Sequence, residues 1–530
     1  MNAEDMAEGV TLDAAGLHAL LERVRVLIAP EDFRILKAVC GAVLRVCQML
    51  SQKDTTLGRL RRMLFGARTE KTRTVLSGGG APAPKAPPTA KAPRKGHGRR
   101  SAAAHTAAPP IRVPHPSLQP GGLCPDCGLG RLYALVPKVI LRFEAQPPIT
   151  SSCFHLDRLR CARCGATHSA PPPPQAGTQK YAPEVGPMLA LMRYGAGMPN
   201  YRMERLQDAL GVPLPASTQW ELMAQAAEPA RPVLEALIVE AAGRELFHND
   251  DTTMRVQEIR RAIRADPQAT RTGIFTTCVM ALSPSEHQPA LALFFTANRH
   301  AGENLDRILD LRPEDLPLPL QMSDALSRNP PKTRPTRQAN CLAHGRREVV
   351  DALPHFPEEG RHILLQLQVA YRIDAQAREL RLGPQERLEL HRQHTAPVFE
   401  ALHLWMTEQL EQKRIEPNSA MGRAITYLQN HWEKLTLFLR EPGAPVDNNI
   451  CERALKQVVL HRKNSMGYKT RRGAEVGDLF MSLIHTCRLN RINPFAYLTA
   501  LVRNAPAVQA NPAGWLPWNY PQSPTAPDTG

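Results

Sequence analysis

A stretch rich in proline, alanine and basic residues, 76–120, most constrains how this chain can fold. It contains APAPKAPPTAKAPRKGHGRRSAAAH, in which prolines block helices and strands and little apolar surface offsets the entropy of ordering. Proline accounts for 49 of the 530 residues, about twice the usual share. The chain is therefore predicted to be multidomain, with 76–120 as a linker between an N-terminal region and a longer C-terminal part.

The chain also carries a large positive charge, because 66 basic and 50 acidic residues leave a net charge of +16. This balance makes nucleic acid the first partner to consider. No run approaches the roughly 18 apolar residues of a membrane span, and the acidic start MNAEDMAEGV does not fit a signal peptide. Eleven cysteines, an odd number in a long chain, suit a reducing compartment. We therefore expect an intracellular protein that does not bind membranes.

The N-terminal region, 1–75, is predicted to be helical. Residues at alternating steps of four and three between Val39 and Leu64 are apolar except Lys53, which is the spacing of a coiled coil or a helical hairpin. An amphipathic helix that packs on its own core fits equally well. The basic residues between Arg59 and Arg73 and those of the linker could follow phosphates or simply remain solvated.

Two CxxC pairs follow the linker, Cys124 with Cys127 in CPDCG and Cys161 with Cys164 in CARCG. Each pair can present two thiolates from one tight turn, and four thiolates complete a closed tetrahedral Zn²⁺ site. Residues 121–175 are therefore predicted to form a zinc-ribbon-like module with structural zinc. Unligated or redox-active cysteines are the alternative.

The next segment, 176–243, is predicted to be helical, with a turn at LGVP (210–213). Its part 198–223 fits a helix-turn-helix that places a recognition helix in the major groove of DNA. A helical hairpin that only packs against the protein fits nearly as well.

A β-rich pattern then places several acidic residues at the ends of predicted elements. Three β-runs (245–256, 273–282 and 289–297), a helix (301–311), a fourth run (318–326) and a short fifth run (339–344) follow one another. Asp250 and Asp251 end the first run, Asp324 ends the fourth, and Glu452 lies in a later predicted helix. This order is typical of a ribonuclease-H-like α/β domain.

Carboxylates gathered in this way would hold two Mg²⁺ or Mn²⁺ ions for phosphoryl transfer. Each acid alone could instead be a solvated surface residue, and Asp447 could be the N-cap of the helix that carries Glu452. The catalytic domain is predicted to span 244–503 with a helical insertion at about 346–440, followed by a flexible tail, 504–530.

Several motifs in order along the chain are similar to those of one family. They are LFGARTEK (64–71), the two CxxC pairs, residues 198–223, HNDDTT (248–253), CLAHGRR (341–347), VDNNICERALK (446–456), HRKNSMG (461–467), GAE (473–475) and NPFAYL (493–498). The sequence resembles transposases of the insertion sequence sixty-six family, which belongs to the DDE class.

The resemblance implies a DNA transposase of the multidomain α+β class with the catalytic residues Asp250, Asp324 and Glu452, which would bind magnesium or manganese. Because Asp250 and Asp251 are adjacent and identical, the alignment to the family motif could be shifted by one residue, and either could be the first catalytic acid. After Asp324 the family has glycine and tyrosine, whereas this chain has ALS (325–327). The implied partners are DNA at the element ends and the target, further copies of the chain in a homodimer or higher oligomer, and accessory proteins of the same mobile element. The implied location is the bacterial cytoplasm, in association with the nucleoid.

Basic residues beside the acids are interpreted as phosphate contacts, with surface ion pairs as the alternative. They are Arg346, Arg347, Arg453, Arg462 and Lys463. Cys341 and His344 stand at CxxH spacing and could bind a second metal ion, but only two ligands are visible locally. A packed cysteine and a hydrogen-bonded histidine are therefore the favoured interpretation.

Transposition is the leading functional hypothesis, and two alternatives remain. One is a zinc-containing DNA-binding protein without catalysis, either a regulator or a decayed transposase. The other is a ribonuclease-H-like nuclease that hydrolyses DNA and never joins strands.

Overall fold

The computed structural model describes residues 112–127, 129–136, 147–160, 162, 164, 167–284 and 288–521, with isolated positions before residue 77. Apart from those isolated positions, the predicted helical region 1–75, its basic cluster and most of the linker 76–120 lie outside the described residues. The chain divides into two units, Met1–Pro88 and Thr89–Gly530, and the description below concerns the second.

The segment predicted to bind zinc contains a short hairpin and a tight turn. Strands β1 (Arg158–Arg160) and β2 (Thr167–Ser169) pair in antiparallel fashion, and Cys164 lies in the connection between them. The other cysteine pair lies in a turn that is closed by a bridge between Leu123 and Arg131. Cys161 lies outside the described residues, so the predicted set of four thiolates stays a prediction.

A group of helices follows the zinc segment. They are α1 (Val185–Ala190), which continues into a π-helical turn (Leu191–Gly195), α2 (Asn200–Ala209), α3 (Ala216–Ala227) and α4 (Arg231–Ala242). In α4, Val233, Leu237 and Ala241 repeat every four residues and are buried, because this spacing places them on one helical face. These helices share one hydrophobic core with the sheet that follows.

Helix α3, within residues 198–223, packs one face into the core. It buries Gln219, Met223 and Ala227, and its exposed positions include Glu221. The helix-turn-helix and the hairpin that only packs against the protein therefore both stay predictions.

The central element of the fold is a five-stranded mixed sheet. Its strands order as β5-β4-β3-β6-β7; β4 is antiparallel to β3 and β5, whereas β6 is parallel to β3 and β7. The parallel pairing requires a crossover, which the helix before β6 supplies. In chain order the elements are β3 (Leu246–Thr253), α5 (Gln257–Ala265), β4 (Phe275–Leu282), β5 (Leu291–Ala297), α6 (Ala301–Leu309), β6 (Leu320–Ser323) and β7 (Arg337–Asn340).

Helices occupy the chain between β7 and residue 440. They are α7 (Leu342–Ala352), α8 (Pro357–Glu379), α9 (Pro384–His394), α10 (Ala396–Glu411), α11 (Ala420–Asn430) and α12 (Trp432–Leu435). Phe399 and Phe438 meet edge to face with ring centroids 5.9 Å apart, a preferred aromatic geometry. The part of the chain predicted as a helical insertion is thus helical, although its first helix begins at Leu342, inside the predicted fifth β-run.

The chain closes with helices that return to the sheet: α13 (Asn449–Ser465), α14 (Arg471–Leu489), α15 (Pro494–Arg503) and α16 (Ala505–Ala510). Together with the strands they confirm the predicted α+β fold class. The predicted flexible tail differs, because its part from Ala505 is helical and buries Val508 and Leu516. Prolines fit there since Pro506 and Pro512 stand at the starts of helical turns, where no intrahelical N–H is needed.

Side chains of α14 cover the free edge of strand β5. The backbone N–H groups of Ala292, Phe294 and Thr296 donate to Thr486 Oγ1, Ser482 Oγ and Asp478 Oδ2 at 3.1, 3.0 and 2.6 Å. Four residues along a helix advance by about 6 Å, and two residues along a strand advance by about 6.8 Å. Because these distances are similar, polar side chains at every fourth position of α14 can reach every second backbone N–H of β5. This arrangement blocks the exposed edge that would otherwise pair with another chain.

Replacing Ser482 with alanine is expected to lower the free energy of unfolding by about 1–3 kcal/mol, because the buried N–H of Phe294 loses its acceptor. Urea unfolding followed by circular dichroism measures this change. The matched control is Glu475→Ala on the exposed face of the same helix, which should change stability by less than about 0.5 kcal/mol. Equal effects of the two substitutions would contradict the role assigned to the side-chain ladder.

Candidate active site

Strand β3 carries Asp250 from the core to the edge of the sheet. Successive side chains of a strand point to opposite faces, so His248 and Asp250 share one face while Asn249 and Asp251 share the other. The strand is buried up to Asn249 and emerges from Asp250 onward. Asp250 is therefore the first carboxylate of this face at the point where the central strand leaves the core.

Asp324 follows the end of the neighbouring parallel strand. His248 of β3 lies opposite Met322 of β6, and two residues further along each strand stand Asp250 and Asp324. The Asp324 carboxylate accepts hydrogen bonds from the backbone N–H of Leu326 at 3.2 Å and from the side-chain amide of Asn329. The segment ALS (325–327) thus forms a turn that fixes the acid in this chain.

Glu452 reaches the same edge from the first turn of helix α13. Asn448, the N-cap residue, is fully buried, and its amide links the start of the helix to strand β3. His248 Nδ1 lies 3.0 Å from Asn448 Oδ1, and Asn448 Nδ2 donates to the carbonyl of Asn249 at 3.2 Å. Burial lowers the pKa of His248 to about 4, so the neutral imidazole can donate Nδ1–H to Asn448.

Asp447 contacts the start of α13, but the N-cap residue is Asn448, so the alternative prediction that Asp447 is the N-cap is off by one residue. Its Oδ1 accepts the backbone N–H of Asn449 at 3.0 Å, and its Oδ2 accepts the side-chain amide of Asn449 at 2.6 Å. Asp447 therefore contributes to the start of α13, one residue before the N-cap position.

The three predicted acids interact electrostatically. Burial and, after it, the negative charges of Asp324, Asp251 and Glu452 together raise the pKa of Asp250 to about 7. Glu452 Oε1 is buried and has no hydrogen-bond partner within the described residues. Oxygen ligands with unbalanced negative charge suit a hard divalent cation such as Mg²⁺ or Mn²⁺.

Asp251 points to the opposite face and is occupied by other partners. Its side chain is 1% exposed, and its Oδ2 lies 3.1 Å from His300 Nδ1 while its Oδ1 lies 3.3 Å from Arg328 Nη2. Its backbone N–H donates to Asp250 Oδ1 at 2.8 Å. The structure therefore distinguishes the two neighbouring aspartates, and Asp250 is the one that shares its face with the other acids.

A basic cleft lies beyond the end of β3 and is lined by Thr253, Met254, Arg255, Arg462, Lys463 and Met466. Arg462 Nη1 donates to Thr253 Oγ1 at 2.7 Å and to Thr252 Oγ1 at 3.2 Å, which fixes the guanidinium next to the strand that carries Asp250. Lys463 is exposed, as is Arg453 one residue after Glu452. These three predicted phosphate contacts lie on the helix that carries the acid.

Arg346 and Arg347 differ from that group. Arg346 is 7% exposed, and its charge acts on the buried hydroxyl of Tyr371, so a phosphate contact does not fit its position. Arg347 is half-buried. The prediction for Arg346 needs correction because the helical face it occupies packs against α8, which a local basic motif cannot reveal.

Cys341 and His344 lie beside Glu452. Cys341 is 1% exposed and accepts the backbone N–H of Asn448 at 3.2 Å, and burial raises the pKa of its thiol to about 12. His344 Nε2 lies 3.7 Å from Glu452 Oε1, and His344 Nδ1 is buried without a hydrogen-bond partner in the described part of the chain. The cysteine is packed as expected, but the expected hydrogen bond of the histidine is not formed there.

The first cysteine pair has the local geometry of a thiolate knuckle. The backbone N–H of Cys124 donates to the carbonyl of Gly130 at 2.7 Å, and backbone N–H groups of Gly130 and Leu129 lower the pKa of Cys127. Such amide–sulfur contacts stabilise the anionic form that Zn²⁺ binds.

Two residues near the acids were not predicted from sequence. Asn448 could have been found, since DNN before an apolar helix is a typical capping signal, although its contact to His248 spans 200 residues. Tyr427, on α11, has its pKa raised to about 12 by burial and by the charge of Asp324. No local pattern marks Tyr427, because the helical insertion brings it to the site.

The candidate site is thus an edge of the mixed sheet where three acids interact electrostatically, with a basic cleft alongside. Residues 181–476 match the sequence profile described as Transposase IS66 family. The match covers more than half of the chain and includes all three acids. The chain belongs to the IS66 transposase family, as its motifs indicated.

Similar proteins occur in Sinorhizobium fredii (strain NBRC 101917 / NGR234). The uncharacterized protein y4hP is 26% identical over 445 residues, which cover 79% of this chain and 78% of the relative. The uncharacterized protein y4jD is 27% identical over 349 residues, covering 63% of this chain and 65% of that relative. In the described part of the chain, every helix is too short or too polar to cross a bilayer.

Proposed function

We propose that this protein is a DNA transposase that binds the ends of an insertion sequence and catalyses metal-dependent strand cleavage and strand transfer. The observation that carries the proposal is the convergence of Asp250, Asp324 and Glu452 from two parallel strands and a helix. Because the chain belongs to a transposase family, DNA is the expected substrate of this cluster of acids.

The carboxylates of Asp250, Asp324 and Glu452 would hold the divalent cations that the family implies. Bound Mg²⁺ or Mn²⁺ would stabilise negative charge on the attacking and leaving oxygens of the phosphodiester. The protein holds the three acids in fixed positions: Asn329 and Leu326 orient Asp324, and Asn448 fixes the start of the helix that bears Glu452. This positioning reduces the reorganisation needed when DNA binds.

Basic side chains beside the acids would hold the DNA backbone. Arg462 is already oriented by Thr252 and Thr253, and Lys463 and Arg453 are exposed on the same helix. Such contacts fix the register of the phosphate chain without reading sequence. Sequence recognition would then come from other parts, including the zinc-binding module at 121–175 and the N-terminal region 1–75.

The finer architecture is part of the proposal. The strand order β5-β4-β3-β6-β7, with acids at β3, after β6 and on α13, supports a ribonuclease-H-like domain across 244–503 with a helical insertion at about 346–440. The thiolate knuckle at Cys127 supports a zinc ribbon completed by Cys124, Cys161 and Cys164. Joining two element ends requires at least two copies of the chain, so a homodimer or higher oligomer is proposed.

The test is an assay of strand cleavage and strand transfer on labelled DNA that carries the terminal sequences flanking the gene. Wild-type protein should cut and join these ends with Mg²⁺ or Mn²⁺. Asp324→Asn and Glu452→Gln should keep salt-sensitive DNA binding and lose at least about 100-fold in cleavage rate. Asp315→Asn, at an exposed acid on the loop before β6, is the matched control and should behave as wild type.

Each failure in this assay has a defined meaning. Tight DNA binding by the wild type without cleavage under either cation would identify a zinc-containing DNA-binding protein without catalysis. Cleavage without joining of precut ends would identify a nuclease. Full activity of Asp324→Asn and Glu452→Gln would refute the assignment of the acids.

A further inference from the structure

Three potential metal ligands of mixed chemistry meet at the side of the carboxylate cluster. Cys341 stands at the end of β7, His344 in the first turn of α7, and Glu452 in the first turn of α13. One ligand atom of each, a sulfur, an imidazole nitrogen and a carboxylate oxygen, lies within 4.8 Å of the other two. The sequence showed only the first two, because Glu452 is remote along the chain.

Two polar atoms of this group lack hydrogen-bond partners among the described residues. Glu452 Oε1 and His344 Nδ1 are buried without hydrogen bonds to any described residue. The separation of 3.7 Å between His344 Nε2 and Glu452 Oε1 is too long for a hydrogen bond. A nitrogen and an oxygen at about 2.0–2.2 Å from a tetrahedral metal ion lie roughly 3.3–3.5 Å from each other, so a small side-chain shift brings these two atoms to the distance of two ligands of one ion.

We propose that Cys341, His344 and Glu452 form a second metal site, which binds Zn²⁺ or a similar borderline transition-metal ion. Thiolate and imidazole favour such ions, whereas Mg²⁺ prefers oxygen ligands alone. Binding forms a bond from the metal to Cys341 Sγ and releases the thiol proton to solvent. The backbone N–H of Asn448, already directed at Cys341 Sγ, stabilises the thiolate. Three protein ligands leave a fourth position open.

This site would make the enzyme sensitive to zinc, a consequence that rests on the proposed function. The carboxylate of Glu452 cannot bind an ion fully at both sites. A metal ion bound by Cys341 and His344 therefore draws the Glu452 carboxylate away from Asp250 and Asp324. Zinc at low micromolar concentration should therefore inhibit Mg²⁺-dependent strand cleavage.

Cobalt binding tests the site without reference to catalysis. Co²⁺ is titrated into metal-free full-length protein, and thiolate-to-cobalt charge-transfer absorption and visible bands are recorded. Wild-type protein should bind one equivalent more than Cys341→Ala and His344→Ala, because the predicted Cys124–Cys164 module contributes equally to all of them. The matched control Cys487→Ala removes a buried cysteine of α14 and should keep the wild-type stoichiometry.

Equal cobalt stoichiometry in wild type and His344→Ala would overturn the proposal, and His344 is exposed enough (26%) that its replacement should leave the fold intact. Cleavage assays then add Zn²⁺ at constant Mg²⁺. Relative inhibition should require at least tenfold more zinc in His344→Ala than in wild type, and unchanged inhibition would refute the regulatory role. If the wild type did not cleave DNA at all, the cobalt result would still stand, so the two proposals fail separately.

Discussion

Asp250→Asn is expected to reduce the rate of Mg²⁺-dependent strand cleavage by about 1000-fold or more, while Asp251→Asn retains readily measurable cleavage. Asn removes one negative oxygen ligand from the carboxylate cluster, and loss of several kcal/mol of charge stabilisation corresponds to such a factor. The two residues are adjacent, have the same side chain and lie on the same strand. They point to opposite faces of the sheet and therefore contact different side chains.

Replacing Asp251 is expected to lower the free energy of unfolding and not to act directly on cleavage. Its replacement weakens the contacts to His300 and Arg328, and the partial loss of a buried charged pair costs about 1–3 kcal/mol. Cleavage is compared at a temperature well below the unfolding midpoint of both variants, with DNA binding measured in parallel. A folded Asp251→Asn protein that is as inactive as Asp250→Asn would show that the opposite face also takes part in the chemistry.

The same pair of aspartates shows what sequence can and cannot predict. The β-run and its acids were visible because an apolar strand ended in HNDD. The choice between Asp250 and Asp251 depended on side-chain direction, since a shift of one residue moves every side chain to the other face. The register between His248 and Met322, which no local pattern contains, places Asp250 on the face next to Asp324 and so favours Asp250 as the first acid.

Other features were missed for identifiable reasons. Helix α5 lies between the first two predicted β-runs and was not predicted, because only Ile259 and Ile263 mark its apolar face among strongly polar neighbours. The segment after residue 504 was predicted to be a flexible tail because of its prolines, yet proline at a helix start is favourable. Arg346 matched a basic motif, but its burial is decided by packing with distant helices. Local sequence patterns predicted most helices and strands. Which polar side chains face the site depends on packing between residues that are distant along the chain.

In metal-free protein at pH 8, Asp250→Asn is expected to be more stable than wild type by about 2–4 kcal/mol. Burial and the neighbouring carboxylates raise the pKa of Asp250 from 3.8 to about 7 in the folded state. Each pKa unit corresponds to about 1.36 kcal/mol, and relaxation of the coupled acids reduces the full value. The sign follows from linkage: well below pH 4 the carboxyl is protonated in both states and the two proteins are equally stable.

Between about pH 4 and pH 7 the unfolded state ionises more readily than the folded state, so wild-type stability falls with increasing pH relative to Asp250→Asn. Above pH 7 the difference is constant. Urea unfolding at pH 4, 6 and 8 without added divalent cations measures it, with Asp315→Asn as the exposed control. Added Mg²⁺ should stabilise the wild type at pH 8 and leave Asp250→Asn nearly unchanged, because cation binding compensates the same repulsion that destabilises the metal-free protein. An asparagine variant no more stable than wild type at pH 8 would show that Asp250 is not under strong repulsion. The three acids would then lack the electrostatic signature of a metal site.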